Sequence, residues 1–286
     1  MVLSRHIPWQ LKIGAKLVLS RLPFDYRVWR RLGAFKNGPM DRPEYAFNVF
    51  RRHFDAVNFP RRRGDFVALE LGPGDSLFSG LIARSFGAAS TYLVDVGDFA
   101  SADLTVYRKM ESYLQQSGVH PPSLENCSTI EDVKAACSMR YLTEGLASLR
   151  RIPSASVDFI WSHAVLEHVR RHEFLPILTE LRRIQRPDGV SSHLIAICDI
   201  LGNNLNDLRF SDRIWESSFM ARSGFYTNRI RYGEMLDLFR EAGFDPEVRR
   251  VARWTVLPTP RHKMAQRFAE LPEDELRVSG FDVTLH

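Results

Sequence analysis

Residues 66–76 read Phe66-Val67-Ala68-Leu69-Glu70-Leu71-Gly72-Pro73-Gly74-Asp75-Ser76. The first six form a short apolar run holding one acid, and the next five carry two glycines, a proline and two polar residues. That is a strand delivered into a tight turn. Leu77 to Phe86 continues as an apolar helix, and Thr91-Tyr92-Leu93-Val94-Asp95 is a second strand ending in a carboxylate. Strand, turn, helix and strand in that order open a parallel sheet.

The alternation continues outward. Residues 140–142 read as a third strand and 157–162 as a fourth. A helix is expected over 173–186, with Phe174, Leu178, Leu181 and Ile184 on one face. Pro187-Asp188-Gly189 is expected to break it before a strand over 190–199. A helix over 232–242 and strands over 246–254 and 277–285 complete the pattern. The fold class is therefore α/β, a doubly wound, mostly parallel seven-stranded sheet of Rossmann-like type. Residues 64–286 form that domain. Stretches near 100–138 and 200–231 depart from the alternation and are expected as cap or lid insertions.

Composition narrows the class. The chain has 286 residues, 44% hydrophobic and 26% charged, which suits a globular enzyme and excludes disordered and fibrous classes. No apolar run approaches the ~18 residues of a membrane-spanning helix, and no secretory signal is evident. Cys127, Cys137 and Cys198 are odd in number and form no C-x-x-C pair, so a reducing cytoplasm is expected.

Charge is unevenly spread. Residues 1–63 hold fourteen Lys and Arg against four Asp and Glu, a local +10, which leaves −5 on the rest of a chain whose balance is +5. Ile7, Leu11, Ala15, Val18 and Leu22 fall at helical spacing in this arm. Such a basic helical arm either packs on the domain as a lid or makes a peripheral contact with an anionic membrane surface. Without a nucleic-acid motif, no nucleic-acid partner is expected.

The chemistry sits at the first turn. In an open parallel sheet, ligands bind outside the carboxyl ends of the strands. Gly72 and Gly74 let a ligand approach the backbone, and Asp95, 21 residues after Gly74, can accept hydrogen bonds from ribose hydroxyls. Leu77 stands where a dinucleotide turn has its third glycine, and Glu70 would repel a pyrophosphate. A nicotinamide-dependent oxidoreductase is thus the weaker reading; a cationic nucleoside cofactor is the stronger.

Leu69-Glu70-Leu71-Gly72-Pro73-Gly74-Asp75-Ser76 resembles the first motif of class I S-adenosylmethionine-dependent methyltransferases. Val157-Asp158-Phe159-Ile160-Trp161-Ser162-His163-Ala164-Val165-Leu166-Glu167-His168-Val169 resembles the motif after the fourth strand in their small-molecule branch. Leu181 to Gly189 is similar to the turn before their fifth strand, and the resemblance covers roughly residues 64–285. It implies S-adenosyl-L-methionine as cofactor. Glu70, Gly72 and Gly74 would line its methionine end, with Asp75 and Ser76 nearby. Asp95 would hold the ribose, Val96 would lie on the adenine, and Thr143 and Glu144 would flank it. Ser162 either faces the methyl donor with His163 or caps the next helix.

Removing a proton from a hydroxyl acceptor needs a base, and His163 and His168 are the two candidates. The segment after the fifth strand offers Asp199, Arg209, Trp215, Tyr226, Asn228 and Arg229 as acceptor contacts, since aromatic faces, amides and guanidinium groups suit a sugar or phosphosugar. The same region resembles methyltransferases of surface-polysaccharide biosynthesis, which implies a sugar or lipid-linked glycan hydroxyl. A phenolic or polyketide hydroxyl is the alternative acceptor. His193 and Asp199 on one strand face raise a metal site, but only Asp199 is near the ligand edge, and no metal is expected.

Overall fold

The computed structural model describes residues 10–11, 13–14, 38–57, 65–200 and 202–286. Seven strands lie in one sheet in the order β3-β2-β1-β4-β5-β7-β6. They are β1 (Phe66–Leu71), β2 (Ala88–Val94), β3 (Met139–Leu142), β4 (Val157–His163), β5 (Gln185–Ala196), β6 (Pro246–Arg253) and β7 (Val278–Leu285). β1 to β5 pair in parallel, while β7 runs antiparallel to both β5 and β6. The order reverses between β1 and β4, so the turn after β1 lies at the switch point where ligands enter.

Side chains alternate across the sheet and build a core on each face. On one face Phe66, Ala68, Phe159 and Trp161 pack under α1 (Pro43–Ala56), α2 (Phe78–Ser85) and α3 (Leu104–Gln116). On the other, Leu69, Leu71, Val157 and Ile160 pack beneath the helices Arg171–Ile184 and Tyr232–Glu241. In α1, Ala46, Phe47, Val49, Phe50, His53 and Phe54 are buried, and Phe50 stands edge-on to Trp161. Arg52 on the same helix pairs with Asp282 of β7 at 2.5 Å.

Three expectations are corrected. Residues 100–138 are not a lid. They hold α3 and a second helix, Ile130–Ala136, whose Tyr107, Met110, Leu114 and Val133 are buried in the core as the crossover from β2 to β3. Pro187-Asp188-Gly189 does not end the helix either. The helix stops at Ile184, and the tripeptide forms an irregularity inside β5, between the pairs Val157–Gln185 and Phe159–Val190. In the arm, Ile7, Ala15, Val18 and Leu22 lie outside the described residues. Gln10, Leu11, Ile13 and Gly14 are helical, but Leu11 is 63% exposed. Ile13, off the expected stripe, is buried against Trp215, Met220, Phe225 and Tyr226.

Candidate cofactor and methyl-transfer site

Three turns are laced together at the carboxyl ends of β1, β2 and β3. Gly72 N–H donates to Val94 O at 2.8 Å, and Gly74 N–H to Asp95 Oδ2 at 3.1 Å. Val96 N–H donates to Asp95 Oδ1 at 2.8 Å, and Gly145 N–H to Asp95 O at 2.8 Å. Asp95 thus holds the glycine turn against its own strand end. Gly72 has φ +75°, and a Cβ there would stand 2.5 Å from Val165 Cγ2 in the loop after β4. The glycine is required twice, by conformation and by that approach.

Around this frame the expected cofactor residues separate. Val96 is 76% exposed and Thr143 half-buried at the same edge. Glu144 is exposed and paired with Arg151. Asp75 and Ser76 lie beneath the surface. Asp75 O accepts from Ser101 N–H, and Ser76 Oγ donates to Met40 O at 2.6 Å, which fixes the start of α1 to the turn.

Glu70 is buried on the α1 face, where its Oε1 accepts from Trp161 Nε1 at 3.1 Å. Oε2 has no hydrogen bond of ordinary geometry among the described residues. Burial raises its pKa to about 7, against the restraining influence of Ser79 and Trp161. Asp95 is pushed up to about 6, again by burial first, with its two backbone donors opposing. Two carboxyl groups reluctant to ionise, at the carboxyl ends of the adjacent strands β1 and β2, fit a ligand with positive charge and ribose hydroxyls. The residues present therefore fit S-adenosylmethionine.

Three histidines lie at or near the end of β4, and their partners distinguish them. Ser162 is fully buried on the side away from α1, its Oγ 2.7 Å from His193 Nδ1. His193 is also buried, which drives its pKa down to about 3. The pair lies inside the core, so Ser162 does not present its hydroxyl to a ligand. His163 faces α1. Its Nδ1 lies 3.2 Å from His53 Nε2, and Tyr45 stands edge-on to the ring. His168 is exposed on the 3₁₀ turn Leu166–His168, and its Nδ1–H donates to Tyr226 O at 3.0 Å.

The six expected acceptor contacts are mostly structural. Trp215 is 1% exposed and donates from Nε1 to Thr227 O at 2.7 Å. Asn228 is fully buried, its Nδ2 donating to Leu166 O and Val169 O. Arg229 is 2% exposed, donates to Phe210 O and Asp212 Oδ1 at 2.6 Å each, and lies between the Trp215 and Phe268 rings. Asp199 is spent on Gly202 N–H and on both nitrogens of Asn206. Tyr226 is buried and donates to Glu216 Oε2 at 2.8 Å. These groups hold residues 202–231 together from within. Arg209, half-buried and bonded to Asn206 Oδ1, is the one of the six nearest solvent. Asp199 and His193 have separate partners, and no group of three or more metal-ligating side chains occurs among the described residues.

Sequence reasoning missed His53, Ser192 and Glu167. Glu167 is buried, accepts from Ala196 N–H at 3.2 Å, and has its pKa raised by burial. His53 did leave a signal, since Phe50, His53 and Phe54 recur at i, i+3, i+4 and mark the buried stripe of α1.

Residues 118–192 match the family described as "Methyltransferase domain". The sheet order, the glycine turn and the acid after β2 are the features by which the chain resembles the class I S-adenosylmethionine-dependent methyltransferases, and the matched segment spans about a quarter of its length. No curated protein sequence matches the chain. Among solved structures, it is 16% identical to an arsenic(III) S-adenosylmethionine methyltransferase from Chlamydomonas reinhardtii. That match has TM-score 0.43 and covers 78% of this chain and 63% of the other. A Methanosarcina mazei S-adenosylmethionine-dependent methyltransferase is 15% identical, TM-score 0.45, over 81% and 95% of the two chains. One from Aquifex aeolicus is 14% identical, TM-score 0.41, over 92% and 98%. Similarity at this level identifies no acceptor.

Proposed function

We propose that the chain methylates a hydroxyl of a sugar or lipid-linked glycan, with His168 as general base. The observation that carries this is the bond from His168 Nδ1–H to Tyr226 O. A carbonyl only accepts, so Nδ1 holds the proton and neutral His168 offers a bare Nε2 lone pair from an exposed ring. Asn228 fixes the loop beneath it by bonding Leu166 O and Val169 O.

The cofactor supplies an electrophilic methyl group on a sulfonium sulfur. Glu70 would face its positive charge, Asp95 would accept from its ribose, and Val96 and Thr143 would border its base. His168 Nε2 takes the proton of the acceptor hydroxyl. Alignment of this kind accounts for roughly 7–11 kcal/mol of a barrier, and a positioned base for a further ~10²–10⁴ in rate.

A glycan acceptor is supported by Asn203, Asn204 and Arg209 along the rim of the segment after β5. The basic arm suits the phosphates of a lipid carrier and a peripheral contact with an anionic membrane. Among the described residues no helix is long and apolar enough to cross a membrane.

The test is transfer of labelled methyl from S-adenosylmethionine to a panel of nucleotide sugars, lipid-linked glycans and phenols. Glycan labelling with the ~10²–10⁴-fold loss of kcat expected of a general base in His168→Ala supports the proposal. Labelling confined to phenols replaces the acceptor class. An unchanged kcat in His168→Ala removes the base, and binding of NAD in place of S-adenosylhomocysteine removes the reaction itself.

A further inference from the structure

Three side chains from three elements form a hydrogen-bonded row that the base chemistry of His168 does not use. Ser192 Oγ on β5 lies 2.8 Å from His53 Nδ1 on α1, and His53 Nε2 lies 3.2 Å from His163 Nδ1 at the end of β4. Ser192 is 4% exposed and His53 2%. Tyr45 and His53 both stand perpendicular to the His163 ring and fix its plane.

Such a row can carry its protons in either of two directions. Pointing toward Ser192, both rings are Nδ1–H and the hydroxyl must find a further acceptor. Ser192 Oγ has no partner but His53 among the described residues, so its proton would be buried unpaired, which is unfavourable. Pointing toward His163, the Ser192 hydroxyl donates to His53 Nδ1, His53 Nε2–H donates to His163 Nδ1, and no donor is wasted. His163 then keeps its own proton on Nε2.

We infer that Ser192 and His53 are positioning residues that hold His163 as the Nε2–H tautomer, making it a hydrogen-bond donor to an oxygen lone pair at the methyl-transfer edge. That oxygen belongs to the cofactor's carboxylate or to the acceptor. Only this identity of the ligand rests on the proposed reaction; the tautomer rests on the row itself. The donor also stays neutral. Burial brings His163 down to about 4 and His53 well below its usual value, with Arg52 lowering both, His193 lowering His53, and Asp282 opposing at His163.

The experiment is long-range proton–nitrogen correlation on the full chain with labelled histidine at pH 7, His163 being assigned by its loss in His163→Gln. A protonated Nε2 and bare Nδ1 on His163, giving way to mixed tautomers in Ser192→Ala, is expected. A bare Nε2 on His163 overturns the inference. Titrations then locate the oxygen. If it is the cofactor's carboxylate, His163→Phe weakens S-adenosylhomocysteine about tenfold and spares methylthioadenosine, whereas His163→Gln, which keeps an N–H, retains both. If it belongs to the acceptor, both affinities hold in His163→Phe and only the acceptor KM rises. Equal loss in Gln and Phe variants overturns the donor role. Absence of adenosyl binding in the unaltered protein would count against the methyltransferase reading and leave the tautomer result standing.

Discussion

A carboxyl group that titrates near 7, as Glu70 does, changes its charge within the working range of most cells. Its folded pKa lies above the unfolded 4.5, so the folded state binds the extra proton. Stability is therefore full below about 4.5 and falls as pH rises toward about 7, by about 3 kcal/mol at most. Glu70→Gln is expected to flatten that slope in urea unfolding measured at pH 5 and pH 8. Cofactor binding runs the opposite way, because a cation prefers the ionised carboxylate. S-adenosylmethionine affinity should rise between pH 6 and 8 and lose this trend in Glu70→Gln, as read by calorimetric titration. Asp95→Ala removes both the proposed ribose acceptor and the tie to Gly74 N–H. A loss of at least about tenfold in S-adenosylhomocysteine affinity is expected, since a bond to a charged group contributes roughly 1.5–3 kcal/mol. Undiminished binding would remove Asp95 from the site.

The strand–turn unit, by contrast, is an element whose register decides everything around it. Gly72→Ala forces Cβ against Val165 and leaves a non-glycine residue at positive φ, so a loss of about 1–3 kcal/mol with weakened cofactor binding is expected in thermal unfolding and titration. An unaltered melting temperature would mean the loop after β4 yields freely. This unit was legible in sequence because its signals are local: an apolar run, two glycines and a spaced acid. The crossover at 100–138 was misread as a lid because its two helices are separated by a polar stretch, 117–129, that hides their common buried face. The places of Glu70, Gly72 and Asp95 at the ends of β1 and β2 follow from the same local signals. The Ser192–His53–His163 row was not, since it joins positions 110 and 139 residues apart that only the docking of α1 on the sheet brings together. Trp215, Asn228 and Arg229 were misassigned because aromatics, amides and guanidinium groups that would line a sugar pocket also suit the inside of a small irregular subdomain with little apolar core.

At the scale of the molecule, the buried guanidinium of Arg229 is one of the groups that hold that subdomain from within. Arg229→Ala would strip donors from Phe210 O and Asp212 and open a void between two aromatic rings. A loss on the order of 3 kcal/mol is expected, with faster amide exchange over 203–231 than over β1 and β4. Uniform acceleration across the sheet would instead mean the subdomain unfolds only with the whole.

The antiparallel seat of β7 between β5 and β6 bears on how the chain is made. A ribosome delivers β5 and β6 before the strand that joins them. Roughly ninety residues separate the end of β5 from the end of β7, on the order of ten seconds of translation. For that interval the nascent sheet has a parallel half already able to form and an open β5 edge carrying Ser192 and His193, a template for mispairing that only the emerging residues 278–285 can cover.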